Sequence, residues 1–404
     1  MHRLRYCPAF VSLAYTATHT PVRDRVTWIS YIQMSFFAWF MYSFGATQAL
    51  LRDEQGTGLV VASLHSTFLS IGGLLSALIV AKVMLRYGRG RILRVGSIGI
   101  ILGVLVLTWP GASIGVTFIG VFLAGYFGTF IIATANAFLL DHEGAAGPAA
   151  LTEANALACF AGLIGSLLVG IGAATLLGWR AGMYVVVIAL IAVEIWRGRN
   201  TSVFGEPPEV VAKVEHAKIP RAFWWSWSLL VCVIAAEFSL TFWGADLLRE
   251  RCGFGPAAAA ASLASVVGGM FIGRAFGSRL ARAFKTDSIL RVAMICALVS
   301  FAIAWSFTWW PVVILGLFLT GLSISVHWPL SVSRAVVASD GLTDRAAGLA
   351  AVAASVASGL APFALGALSQ TLDLHLAFLI VPVFLICALA ILLIKPVPEI
   401  SATT

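Results

Sequence analysis

Ile92-Leu93-Arg94-Val95 returns unchanged 197 residues later as Ile289-Leu290-Arg291-Val292. The stretch Leu50-Leu51-Arg52-Asp53-Glu54-Gln55-Gly56 keeps the same spacing to Leu247-Leu248-Arg249-Glu250-Arg251-Cys252-Gly253. Three more pairs fall into the same order. Gly72-Gly73 matches Gly268-Gly269, and Gly120-Val121-Phe122-Leu123-Ala124-Gly125 matches Gly316-Leu317-Phe318-Leu319-Thr320-Gly321. Ala145-Ala146-Gly147-Pro148-Ala149-Ala150 matches Ala346-Ala347-Gly348-Leu349-Ala350-Ala351. Five pairs in one order make the chain a duplication of a single unit.

The 404 residues are 60% hydrophobic and only 11% charged, where a soluble domain carries about 25% charged residues. About 20 apolar residues cross a bilayer as a helix. The apolar runs here have that length and are continuous, not alternating over ten residues, which excludes a membrane barrel. Twelve spans result: 27–51, 57–82, 92–110, 113–139, 149–177, 181–196, 222–248, 256–280, 289–309, 312–336, 346–371 and 374–394. The fold class is therefore all-α integral membrane, with two pseudo-symmetric six-helix bundles at 27–197 and 222–395. A tail at 1–26, a polar linker at 198–221 read as flexible, and a second tail at 396–404 complete the organisation. Parallel repeats in a membrane chain place a transport site between the halves, near the bilayer midplane.

A net charge of +8 in a soluble chain suggests nucleic acid. Here the basic residues gather in particular loops: Lys82, Arg86, Arg89, Arg91 and Arg94 after the second span, and Arg279, Arg282, Lys285 and Arg291 after the eighth. The loops at 110–113 and 309–312 hold none, and Arg52 is balanced by Asp53 and Glu54. Positive-inside bias then puts both tails and the linker in the cytoplasm and the chain in the cell (inner) membrane. The six cysteines are scattered, with no metal spacing and no disulfide framework. A Gly-rich phosphate loop, paired His ligands and a nucleophile elbow are all missing, so neither an enzyme nor a bound cofactor or metal is expected.

Between spans two and three the chain reads Ala81-Lys82-Val83-Met84-Leu85-Arg86-Tyr87-Gly88-Arg89-Gly90-Arg91. With twelve spans in a six-plus-six repeat, this stretch resembles the major facilitator superfamily, and the resemblance covers nearly the whole chain. The family's motif has Gly where Ala81 stands and Asp where Leu85 stands. The second half keeps it as Gly277-Ser278-Arg279-Leu280-Ala281-Arg282, with Ala281 at the acid position; Gly178-Trp179-Arg180 is also family-like. The resemblance implies a secondary transporter, a monomer working by alternating access. It also implies a conformational motif carried here by Arg86, Gly88, Arg89, Arg91, Gly277 and Arg282. Leu85 lacks the charge with which relatives latch their halves. Span five has Gly165 and Gly170 without the proline of the family's antiporter signature, so its motif does not prove export.

The resemblance further implies that spans one, four, seven and ten line the central cavity. Polar and aromatic residues at helical spacing on them are the candidate substrate contacts. They are Tyr31, Ser35, Trp39 and Tyr42 on span one and Tyr126, Thr129 and Asn136 on span four. Glu237 and Thr241 on span seven, and Ser323, His327 and Ser331 on span ten, complete them; Arg334 extends the last stripe. A carboxylate at bilayer depth faces a cavity or a partner by default, so Glu237 is the first candidate for proton coupling. His327 is the second, because imidazole titrates near neutral pH. The bland alternatives are a neutral Glu237 or His327 bonded within the helix bundle, a helix-dipole role for Glu153, and core packing for Trp39. Arg274 reads as a snorkelling side chain near the cytoplasmic end of span eight, and His65 as structural.

The expected cargo is a small amphipathic or weakly cationic organic solute, with protons as coupling ion, lipids as the surroundings, and export preferred over import. A lipid-handling member of the fold, or a sensor or scaffold that no longer transports, are the alternatives.

Overall fold

The glycines that close the repeated Leu-Leu-Arg stretches do the same work twice. Gly56 adopts φ 60° and Gly253 φ 67°, a left-handed conformation glycine takes without a Cβ penalty. Each ends a long helix, α1 (Arg25–Gln55) and α7 (Arg221–Cys252). The computed structural model describes residues 20–205, 218–340 and 342–395, apart from a few side chains that include Ser278, Arg279 and Ala281 to Ala283. Of the expected tail at 1–26, residues 1–19 lie outside the described residues, as do the tail at 396–404 and the linker core at 206–217, and α1 begins within that tail at Arg25.

The N-terminal bundle continues with α2 (Leu59–Tyr87), α3 (Arg89–Leu107), α4 (Ile114–Glu143), α5 (Gly147–Ala173) and α6 (Arg180–Arg197). The C-terminal bundle follows α7 with α8 (Pro256–Ser262), α9 (Ala264–Ala283), α10 (Thr286–Ser306), α11 (Trp310–Ile324), α12 (His327–Val337), α13 (Thr343–Leu368), α14 (Leu374–Ala377) and α15 (Ile380–Ile394). Among the described residues, ten helical segments are long and apolar enough to cross a membrane. The two others are α1, whose interior carries Gln33, Gln48 and a row of hydroxyls, and α6, which is bracketed by Arg180, Glu194 and Arg197. With them the spans number twelve, as the sequence reading expects.

Three expected spans are broken. The eighth splits at Leu263, the tenth at Ser325-Val326, and the twelfth at Phe378-Leu379. Proline accounts for two of these. A proline removes its own N–H and crowds the carbonyl four residues earlier. Pro329 acts in this way on Ser325, and Pro382 on Phe378.

Here the end at which α1 and α7 begin is called the near end, and the opposite one the far end. Two segments tie the near end of the N-terminal bundle. In the first, Asp24 caps α1 by accepting from the Thr27 N–H at 2.9 Å and pairs with His142 at 2.8 Å. Its neighbour Val22 donates to Glu143 at 2.8 Å, and Arg23 pairs with Glu153 at 2.6 Å. The second is the start of the expected flexible linker. Residues 198–205 are mostly exposed but are anchored by Phe204, which is buried, 5.0 Å from the Phe138 ring and under the Arg197 guanidinium. Gly90 lacks the Cβ that would collide with the Thr201 carbonyl. The apolar Phe204 explains the departure from a free linker, because its ring leaves water only by docking.

Candidate functional site

The two bundles meet along a seam that is closed at the far end. Arg52 of α1 reaches Asp246 of α7 at 2.6 Å, and Arg249 of α7 reaches Asp53 of α1 at 2.8 Å. The two arginines are the equivalent positions of the repeat. Below these crossed ion pairs the backbones approach closely. A Cβ on Gly170 of α5 would collide with Ala261 of α8, and one on Gly45 with the Thr241 carbonyl. On the α2–α13 side, Gly366 packs on Ser63 and Ser70 bonds Ser358 at 2.8 Å.

Toward the near end these stripes of contact end among the described residues. The α5 stripe that touches the other half runs through Gly170, Leu163 and Cys159 and would continue to Thr152, which is exposed. The α13 stripe runs through Gly366, Gly359 and Ser355 to Gly348, which is exposed with nothing within 4 Å. Among the described residues the two halves therefore part toward the near end, and the apex of that parting lies where Cys159 meets Arg274.

That apex holds a four-residue cluster drawn from both halves. Arg274 of α9 donates from Nη1 to Cys159 Sγ of α5 at 2.6 Å, and its guanidinium lies beside the Tyr42 hydroxyl of α1. Its Nη2 is 4.0 Å from Glu237 Oε1 of α7. Its Nε reaches the Ser325 carbonyl at 3.4 Å, the acceptor that Pro329 frees from the helix. The other Glu237 oxygen, Oε2, has no partner among the described residues. Gly162 has no Cβ where the Tyr42 ring packs. The cluster thus joins one acid, one fixed cation and two neutral groups across the plane on which the halves separate.

Sequence reasoning named Glu237 and Tyr42 and missed the role of Arg274, which is not a snorkelling side chain but the centre of the cluster. Its signal was present as an arginine inside an apolar helix. Cys159 gave no signal of its own.

The remaining candidates scatter. Thr241 spends its hydroxyl on the Glu237 carbonyl at 3.0 Å. Trp39 turns into its own bundle and donates to the Gly182 carbonyl at 2.9 Å, the core packing held as its alternative. Tyr31 is buried against Glu153 at 3.3 Å, and Ser35 bonds back to the Tyr31 carbonyl at 2.7 Å. Thr129 bonds back to Gly125 and faces Gly73 beside Ser355. Tyr126 is half-buried in a cluster with Phe122, Phe127 and Phe130. Asn136 leaves its buried Oδ1 unpartnered.

On span ten the stripe turns away from the seam. Arg334 is buried, bonding Asp287 of α10 at 3.0 Å and Ser226 of α7 at 2.7 Å. Ser331 and His327, one and two turns before it, are fully buried on that face, and both His327 ring nitrogens lack a partner among the described residues. His327 thus lies apart from Glu237, on the part of span ten that follows the break at Ser325-Val326. Ser323 lies before the break and bonds back to Leu319 at 2.8 Å. His65 bonds Thr117 at 2.8 Å inside the N-terminal bundle.

The motif residues sit at the near end. Gly88, at φ 80°, makes the turn from α2 to α3. Arg89 pairs with Asp141 of α4, Arg86 lies 5.3 Å from the Tyr87 ring centre, and Arg91 is exposed. Gly277 packs near Val326, and the Arg282 side chain lies outside the described residues.

A family model described as Major Facilitator Superfamily matches residues 27–340. Among solved structures, the chain is similar in fold to a bacterial homolog of the human lysosomal transporter Spinster, captured in an inward-facing and occupied conformation. That likeness has a TM-score of 0.66 at 14% identity and covers 93% of this chain and 97% of the other. No curated protein sequence matches the chain significantly.

Proposed function

The chain belongs to the Major Facilitator Superfamily, and from that premise we propose a secondary transporter that carries a small organic solute across the cell membrane by alternating access, driven by protons. The bundles rock about the seam, so the parting at the near end closes there and reopens at the far end. The positive charge of the near-end loops supports a cytoplasmic near end.

The observation that carries the coupling is Glu237, a buried carboxylate with one oxygen unpartnered and the other 4.0 Å from Arg274. Ionised, it attracts Arg274, and Arg274 in turn holds Cys159 of the opposite half. Protonated, it loses that attraction, and the guanidinium is free to leave either half as the seam opens. A proton taken on one side is thereby tied to the arrangement of the halves. His327 stands apart from this cluster and serves as the comparison. Pairing with Arg274 balances Glu237 and removes the reason to expect a cationic cargo. An amphipathic solute without net charge, resting on Tyr42, is the cargo this balance favours.

Glu237→Gln keeps the shape and cannot titrate. In proteoliposomes, uptake driven by a pH gradient should collapse while exchange of the same solute at equal pH continues. His327→Gln should behave as wild type. Undiminished gradient-driven transport by Glu237→Gln would remove Glu237 from the mechanism.

A further inference from the structure

On the outer face of the N-terminal bundle, away from the seam, α3 and α6 border a cleft of about 440 Å³ at the near end. Its walls are isoleucines from both helices, Ile98 and Ile101 on one side and Ile191 and Ile195 on the other. Three of the four are exposed in the isolated chain: Ile98, Ile191 and Ile195. Between membrane-spanning helices such a cleft faces acyl chains rather than water.

The mouth has a different chemistry. Arg94 and Arg199 line it together with Glu194 and Gly198. The single acid is shared by two arginines, because Glu194 accepts from Arg94 at 3.2 Å and pairs with Arg197 at 3.2 Å, and Arg94 is held at the mouth by this bond and by a second to the Gly198 carbonyl. Arg199 is exposed and makes no bond to the described residues. Arg25 adds a further cation at this corner through its bond to the Trp196 carbonyl. Arg91 lies on the same stripe of α3 as Arg94, Ile98 and Ile101, at helical steps of three, four and three. An apolar slot therefore opens into a cationic mouth where the helices leave the membrane.

We propose that this cleft binds one anionic glycerophospholipid, its acyl chain lying along the four isoleucines and its phosphate held between Arg94 and Arg199. The charge excess selects the anion, because clustered basic residues at a helix–membrane boundary attract acidic headgroups, and a guanidinium matches phosphate in two-point geometry. The isoleucine walls select a lipid over a free anion. The bound lipid is a fixed component of the N-terminal bundle and is separate from the cargo.

The test uses the purified full-length chain in detergent, offered equal amounts of dioleoyl phosphatidylglycerol and dioleoyl phosphatidylcholine, with retained lipid counted by native mass spectrometry. Wild type should keep one phosphatidylglycerol in preference, by about fivefold for each arginine engaged. Arg199→Glu, which breaks no internal bond, should bring the two lipids to parity. Ile98→Trp combined with Ile191→Trp fills the slot without touching charge and should abolish retention. Lys218→Glu, a reversal at the same end but before α7, should change nothing. Equal retention of both lipids by wild type would show ordinary annular lipid and overturn the proposal. So would an effect of Lys218→Glu as large as that of Arg199→Glu, which would mean diffuse attraction. Retention that survives the tryptophans, or that inorganic phosphate abolishes, would show an anion site without a lipid and overturn it as well.

Discussion

A carboxylate beside a guanidinium inside a membrane protein is more fragile to the loss of one member than to the loss of both. Removing one partner leaves the other charge buried and uncompensated, at a cost of about 3 kcal/mol. Arg274→Ala should therefore lower the unfolding free energy by about that amount, and adding Glu237→Gln should restore most of it, a coupling that a double-mutant cycle measures. Equal, additive losses would mean that the 4.0 Å pair carries no energy. A second residue-scale expectation concerns Asp24. Partial burial raises its carboxyl, but the Thr27 N–H and His142 outweigh that and hold it below the usual carboxylate range. A depressed carboxylate contributes stability that is present above its unfolded pKa of about 3.9 and is lost as pH falls through the folded value. Asp24→Ala should cost about 1 kcal/mol as a lost helix cap near pH 6, with the difference from wild type shrinking below pH 4. Glu237 was legible in the sequence because an acid within an apolar run is visible in a single line. Arg274 was equally visible, but its depth was not. An arginine has a long enough stem to reach an interface from many positions, so only the neighbouring helices decide where its head goes.

At the scale of elements, the seam is made by what the helices lack. Gly170 of α5 lies backbone to backbone against Ala261 of α8, so Gly170→Leu inserts a side chain where no space exists. The chain should relieve it by separating the bundles at the far end. Distances between spin labels placed on α1 and α7 beyond Gly45 and Thr241 should lengthen relative to wild type; an unchanged distribution would mean that α5 and α8 are not a closing surface. The paired glycines and the repeat made the helix inventory and its duplication readable, since both depend only on local pattern. The breaks were less readable. Apolar periodicity runs through Ser325-Val326 without interruption, and Pro329 marks the break only once one asks which carbonyl it displaces. The fate of that carbonyl, an acceptor for Arg274, depends on a helix about fifty residues earlier and has no local signature. The docking of Phe204 was hidden for the same reason: one aromatic in a polar stretch reads as chance until Gly90 and Phe138 are seen beneath it.

At the scale of the whole molecule, the ion pairs Arg52–Asp246 and Arg249–Asp53 close the far end. Asp246→Asn removes the more buried acid and should shift the ratio of states toward far-end opening by about tenfold, equivalent to about 1.4 kcal/mol. Thiol labelling of a cysteine placed on the seam side of α1, such as Phe44→Cys, where the ring meets Phe242 of α7, should accelerate in that variant; an unchanged rate would show that the pair does not hold the seam. Arg52 and Arg249 stand at equivalent positions of the duplicated unit, and each reaches across to an acid of the other half. The far-end closure is thus almost an isologous contact, the kind two identical subunits make about a two-fold axis, here enclosed within one polypeptide. The acids break that symmetry. Asp246 is 3% exposed and Asp53 is 40% exposed. Mobile ions screen exposed charges and leave buried ones largely intact, so rising ionic strength loosens one strand of the clasp and spares the other. The pseudo-dyad is therefore balanced in dilute solution and lopsided in brine, and the salt content on the far side sets how evenly the two halves share the closure.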